Sequence, residues 1–205
     1  MKEPFKKIIL SKPNLNIFKR SEKTGFYVSE AEENLEKENY DKAERLFIRA
    51  IEKDSRSEEA YAGLGRLYLA QKKFEEAIET YKHLAKLFPT NDTYFANLGQ
   101  SYHGQKLYES AIEAYERAIE LAPENARRYV NLGLTLEARK HLEEAILNYR
   151  KAVELEKTNP QFLLVLAEAL VNKGDKEEAE LMLEQVLQLE PTNHTARERL
   201  MRLKF

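Results

Sequence analysis

The sequence has no cysteine and no tryptophan, and it spends only seven glycines and six prolines on 205 residues. Without cysteine there is no disulfide, no thiolate nucleophile and no cysteine-based zinc site, which fits a reducing cytosol. Near the amino end only Ile8, Ile9 and Leu10 form a continuous apolar run. That is too short for a signal-peptide core and far short of a spanning helix, so a soluble, cytoplasmic chain is expected. A surplus of positive charge is also missing: a third of the residues are charged, yet the net charge is -2. The field that draws a protein to DNA or RNA is absent, and nucleic acid is not an expected partner.

What the sequence does have is a period. Between Asp92 and Asn125 two runs, 94–105 and 108–121, repeat apolar residues at the three- and four-residue spacing of a helix face. The pattern returns when the frame moves by 34 residues either way. Ala31, Gly65, Gly99, Gly133 and Ala167 share one repeat position in the first helix of each pair, and Ala43, Ala77, Ala111, Ala145 and Ala179 share one in the second. Four residues beyond the second set stand Phe47, Tyr81, Tyr115, Tyr149 and Leu183, one turn along the same face. Small residues at these places let two helices cross closely, and the larger set supplies core knobs. An interior glycine costs about 0.5–1 kcal/mol against alanine, so glycine at one position in three successive pairs signals that packing outweighs propensity.

These residues carry a resemblance. Phe95, Leu98, Gly99, Tyr102, Ala111, Tyr115, Ala118 and Pro123, with Tyr61, Leu64, Gly65, Tyr68, Ala77, Tyr81 and Pro89 one period earlier, resemble the tetratricopeptide repeat (TPR) family. In the earlier unit Leu84 replaces the third alanine. The resemblance implies an all-α, right-handed superhelical solenoid of antiparallel helix pairs. Its expected units are 24–57, 58–91, 92–125, 126–159 and 160–193, followed by a capping helix over 194–205 that starts near Asn193. Leu200, Met201 and Leu203 are expected to cover the last apolar face. The first unit carries Glu30 and Asn34 where the others bury apolar residues, as expected of a terminal repeat with a polar outer face.

Residues 1–23 stand outside the period. Lys2, Lys6, Lys7, Lys12, Lys19, Arg20 and Lys23 face only Glu3 and Glu22, so this extension is +5 and the remainder is -7. Pro4 and Pro13 interrupt any single helix there, while Phe5, Ile8, Ile9, Leu15, Ile17 and Phe18 are interleaved with the cations. Three readings stay open: a solvated tail, a strap over the helical array, or a basic patch for an anionic membrane surface.

No catalytic constellation assembles. His83, His103, His141 and His194 fall at different repeat positions, without metal-ligand spacing. Glu75 and Glu76, Glu143 and Glu144, and Glu177 and Glu178 recur at the start of second helices, where negative charge complements the helix dipole. The stretch "YAGLGRLY" lacks the lysine and hydroxyl residue of a phosphate loop. A non-enzymatic chain without cofactor or metal is expected.

The resemblance implies further that first helices line a concave, peptide-binding groove. Its expected residues are Arg66, Asn97, Gln100, His103, Arg127, Asn131 and Leu134, set among Ala62, Gly63, Ala96 and Val130 and continued by Leu164, Val165 and Glu168. One subgroup of the family clamps a terminal carboxylate; Asn97 and Arg127 match it, whereas Ala62, Arg66 and Asn131 depart from it. Another holds peptide backbone on an asparagine ladder, for which Asn97 and Asn131 supply two rungs. The expected function is a scaffold or adaptor binding a peptide or helix of a partner protein. The alternatives are a membrane-associated assembly factor held by the basic extension, or a regulatory subunit of an enzyme complex.

Overall fold

The computed structural model describes residues 21–204, which form eleven α-helices and, among the described residues, no strand. In chain order these are α1 (Ser21–Glu36), α2 (Tyr40–Lys53), α3 (Glu58–Ala70), α4 (Phe74–Leu87), α5 (Asp92–Gly104), α6 (Tyr108–Leu121), α7 (Ala126–Ala138), α8 (Leu142–Leu155), α9 (Pro160–Lys173), α10 (Lys176–Leu189) and α11 (His194–Lys204). All but the last three residues of the basic extension lie outside the described residues. The helices fall into two compact units, one ending at Lys106 and the other starting at Leu107. The first holds α1–α5 and the second α6–α11. No described helix is long and apolar enough to cross a membrane.

Four odd-numbered helices, α3, α5, α9 and α11, start on side-chain caps, whereas Asn125 before α7 makes no such bond. The Ser57 hydroxyl accepts from the Ala60 N–H at 3.2 Å, and Asn91, Asn159 and Asn193 accept from Thr93, Gln161 and Ala196 at 3.1, 3.1 and 2.9 Å. Each such cap is worth about 1 kcal/mol. Even-numbered helices lack a side-chain cap and follow a tight turn instead. In that turn Glu38, Lys72, Lys106, Lys140 and Gly174, one repeat position, all take left-handed backbone with φ of 57, 56, 62, 68 and 99°. The hydrogen bonds show why. Lys72 N–H reaches Leu69 O at 3.0 Å and Lys73 N–H reaches Tyr68 O at 2.8 Å, the paired closure that satisfies the last carbonyls of a helix. Glu38, Lys140 and Gly174 and their successors repeat both bonds.

Only the last of these five residues is glycine. Left-handed backbone costs an L-residue about 1–2 kcal/mol, more than the 0.5–1 kcal/mol of extra chain entropy that glycine brings. Lys140→Gly is therefore expected to raise stability by up to about 1 kcal/mol, and Gly174→Ala, whose Cβ would meet nothing within 4 Å, to lower it by about as much. Thermal melting of the two variants checks this. A fall in Lys140→Gly would show that the turn is not strained.

In the first unit Phe47 and Tyr81 are fully buried, with Ala43 and Ala77 beside them on their helices. A Cβ on Gly65 would stand 2.7 Å from the Tyr81 ring, so this glycine makes room for the aromatic knob of the next helix. Gly63 likewise lies directly under the Phe47 ring. This corrects its expected place on an inner face: Gly63 is small because α2 seats its phenyl ring there, and the same contact ties the first helix pair to α3. Asn34 is also a correction. It is buried rather than part of a polar outer face, and its amide donates to Glu30 O at 2.7 Å, so that a buried polar group stays satisfied.

The second unit repeats the arrangement. Gly133 lies against the fully buried Tyr149, whose hydroxyl donates to Glu137 at 3.0 Å, and the other Glu137 oxygen accepts from Asn172 at 3.1 Å. Leu163, Ala167, Leu183 and Val186 form a terminal cluster with Ala196 of α11, against which Leu200 and Leu203 pack. Met201, expected in that cover, is 53% exposed because it falls on the opposite side of a short helix. Lys204 returns to α10 through Glu180 at 2.6 Å and Glu184 at 3.3 Å.

Candidate functional site: the first-helix faces

In the first unit the expected site residues lie on α3 and α5. Arg66 and Gln100 are exposed, Asn97, His103 and Ala62 are half-buried, and Ala96 is buried and offers no contact surface. Arg66 is already engaged: its guanidinium pairs with Glu32 of α1, one period earlier. Arg66 and Asn97 also converge on the Tyr81 hydroxyl. Burial drives that phenol's pKa up, and the Arg66 charge and the Asn97 amide pull it back. Among the described residues the hydroxyl meets no partner at full hydrogen-bond geometry. Behind Asn97 the buried Ser101 hydroxyl donates to the Asn97 carbonyl at 2.7 Å. His103 is held below the ordinary imidazole range by burial.

His83, on the second helix of its pair, packs at a tilt of 49° against Tyr61 with ring centroids 4.5 Å apart. Its buried Nε2 has no hydrogen-bond partner. Burial and the charge of Lys86 lower its pKa.

In the second unit α7 presents Arg127, Asn131 and Leu134, spaced four and three residues apart and therefore on one stripe. Arg127 is exposed and pairs with no carboxylate among the described residues. Asn131 is half-buried, its carbonyl accepting from Thr135 at 2.8 Å, and Leu134 is 44% exposed, high for a leucine in a helix that buries Leu132 and Leu136. Val130 is buried, another correction to the expected lining. On α9, Leu164 and Val165 are half-buried and Glu168 pairs with Arg199 of α11.

The carboxylates are what sequence reasoning missed. Glu32, Arg66, Gln100, Leu134 and Glu168 share one repeat position. Writing that column out would have placed Glu32 beside Arg66 by the period alone. The Arg199 partner of Glu168 lies outside the period, and no spacing signals it. Among the described residues no cluster of histidine, aspartate and glutamate could hold a metal ion.

Comparison with known proteins places these faces in context. The family model described as "Cilia and flagella-associated protein 70 C-terminal domain", a TPR domain, matches residues 21–205. A comparison with curated proteins returned no significant match. Among solved structures, pilF of Pseudomonas aeruginosa is similar at 25% identity and a TM-score of 0.76, over 90% of this chain and 84% of that one. MamA from Desulfovibrio magneticus RS-1 is similar at 23% identity and a TM-score of 0.75, over 84% and 97%. YrrB, described as a TPR protein with an unusual peptide-binding site, is similar at 21% identity and a TM-score of 0.67, over 84% and 89%. With the helix pairs, the small-residue register and a family model spanning all but the first 20 residues, the chain belongs to the tetratricopeptide repeat family, in the group described by the cilia and flagella-associated protein 70 C-terminal domain.

Proposed function

We propose that the chain is a non-catalytic scaffold whose first-helix faces bind an extended peptide or a helix of a partner protein. The observation that carries this reading is the α7 stripe. A cation that pairs with no carboxylate among the described residues, an amide and a half-exposed leucine follow one another along one helix face, where a folded helix more often buries its leucine. Such a stripe suits an acidic residue followed by backbone and an apolar side chain. In the first unit, taken by itself, Arg66 would have to exchange Glu32 for a ligand carboxylate. YrrB, with a peptide-binding site of its own, supports the class of ligand. The division into five units over 24–193 with a cap over 194–205 belongs to the same proposal.

Co-purification with the full chain from its native cell, followed by titration of the recovered partner, tests the reading. Arg127→Glu is expected to weaken an acidic ligand by about 1.5–3 kcal/mol, the worth of a hydrogen bond to a charged group. Asn97→Ala with Asn131→Ala should remove about 0.5–1.5 kcal/mol for each lost bond. Unchanged affinity in both, together with loss of binding in Leu147→Asp on α8, would move the site off the first helices.

A further inference from the structure

The first helix of the array has a bare side. In α3, Ala60 and Leu67 are fully buried and Gly63 lies under the Phe47 ring, so this side of the helix is covered by the chain that precedes it. The residues of α1 one period earlier are Phe26, Ser29 and Glu33. Phe26 is 64% exposed, Ser29 is exposed, and the Glu33 side chain is 61% exposed and pairs with Lys37, one turn along the chain, at 2.5 Å. A phenylalanine open to water at the place where the next first helix buries an alanine needs a cover.

The chain itself carries one of suitable chemistry. Residues 1–20 lie outside the described residues and end directly at the start of α1. They hold six cations against Glu3 alone, a charge of +5, together with Phe5, Ile8, Ile9, Leu15, Ile17 and Phe18. The stretch they would meet, residues 21–39, holds Glu22, Glu30, Glu32, Glu33, Glu36 and Glu38 against Lys23 and Lys37, a charge of -4, with Glu30 and Glu32 shared with Lys42 and Arg66. Within this short distance along the sequence the two charges nearly cancel, and each side supplies apolar groups. We infer that residues 1–20 fold back on the exposed face of α1 within the same molecule, with Phe26 as the apolar anchor and the α1 carboxylates as counter-charges. This contact would cover in α1 the side that the preceding chain covers in α3, and it meets the inner faces discussed above only through Glu32, the partner of Arg66. It leaves the basic segment occupied rather than available to a membrane.

The absence of tryptophan makes the test direct. Phe26→Trp places the sole indole of the full chain at the proposed contact, on a site open enough to accept it without repacking. The inference predicts emission at short wavelength at low salt, independent of protein concentration. It predicts a shift to the solvent-exposed value on deletion of residues 1–20, and a partial shift in Lys6→Glu with Lys7→Glu. Salt near 0.1 M, where the Debye length is about 10 Å, should give a partial shift too. Solvent-exposed emission in the full chain, unaltered by the deletion, overturns the inference. So does a short-wavelength signal that grows with protein concentration, which assigns the cover to a second copy. A signal that appears only with phosphatidylserine vesicles also overturns it, and assigns the segment to a membrane.

Discussion

Gly133→Ala is expected to lower stability by about 1–3 kcal/mol, although alanine is the better helix former by roughly 0.5–1 kcal/mol. The reason is the Tyr149 ring, against which the new Cβ would have no room. The fifth helix pair shows how the conflict is avoided. There Ala167 stands at the glycine position, and Leu183, fully buried in the same cluster, stands where the other pairs have an aromatic ring. Gly133→Ala combined with Tyr149→Leu copies that pairing, and it is expected to recover part of the loss. Recovery is incomplete because the Tyr149 hydroxyl also satisfies Glu137. A double-mutant cycle by denaturant unfolding measures the coupling. Additive losses would mean that the glycine is retained for something other than the ring.

This pairing explains why so much of the fold is legible in the sequence. Glycine beside tyrosine in the middle pairs, and alanine beside leucine in the fifth, answer to one steric condition at a spacing of 34 residues; the first pair departs from it, with Ala31 and Phe47 at these positions and the Phe47 ring against Gly63. The turn leaves no such trace. Glu38, Lys72, Lys106 and Lys140 adopt left-handed backbone without being glycine. The helices on either side impose the closure, and the side chain tolerates a strain of about 1–2 kcal/mol. The inner faces are legible only in part. Gly63, Ala96 and Val130 read as lining through the family resemblance, but whether such a residue is open or covered depends on what another helix brings to it, as the Phe47 ring of α2 covers Gly63. Arg66 reads as a free cation until Glu32 is set beside it. What the sequence states well is what packing repeats; what it states poorly is how individual charged side chains settle between helices.

Removal of residues 194–205 is expected to have the largest effect of any change outside the glycine–aromatic contacts. Leu163, Leu183 and Val186 are fully buried, and α11 lies over their cluster with Ala196 at its centre and Leu200 and Leu203 against it. Fully burying one such aliphatic side chain is worth about 1.5–3 kcal/mol, so partial exposure of the cluster should cost roughly 3–5 kcal/mol. It would also leave a hydrophobic end that promotes association, since a terminal repeat without its cap lacks a polar outer face. Arg199→Ala separates packing from charge. It removes the pair with Glu168, whose partners are more than a third exposed, and should change stability by no more than about 1 kcal/mol. Leu200→Asp keeps the helix but spoils its apolar side, and should fall between the two. Equilibrium unfolding with light scattering on the three variants orders them. If Arg199→Ala matched the truncation, the ion pair rather than the apolar cover would be what holds α11 in place.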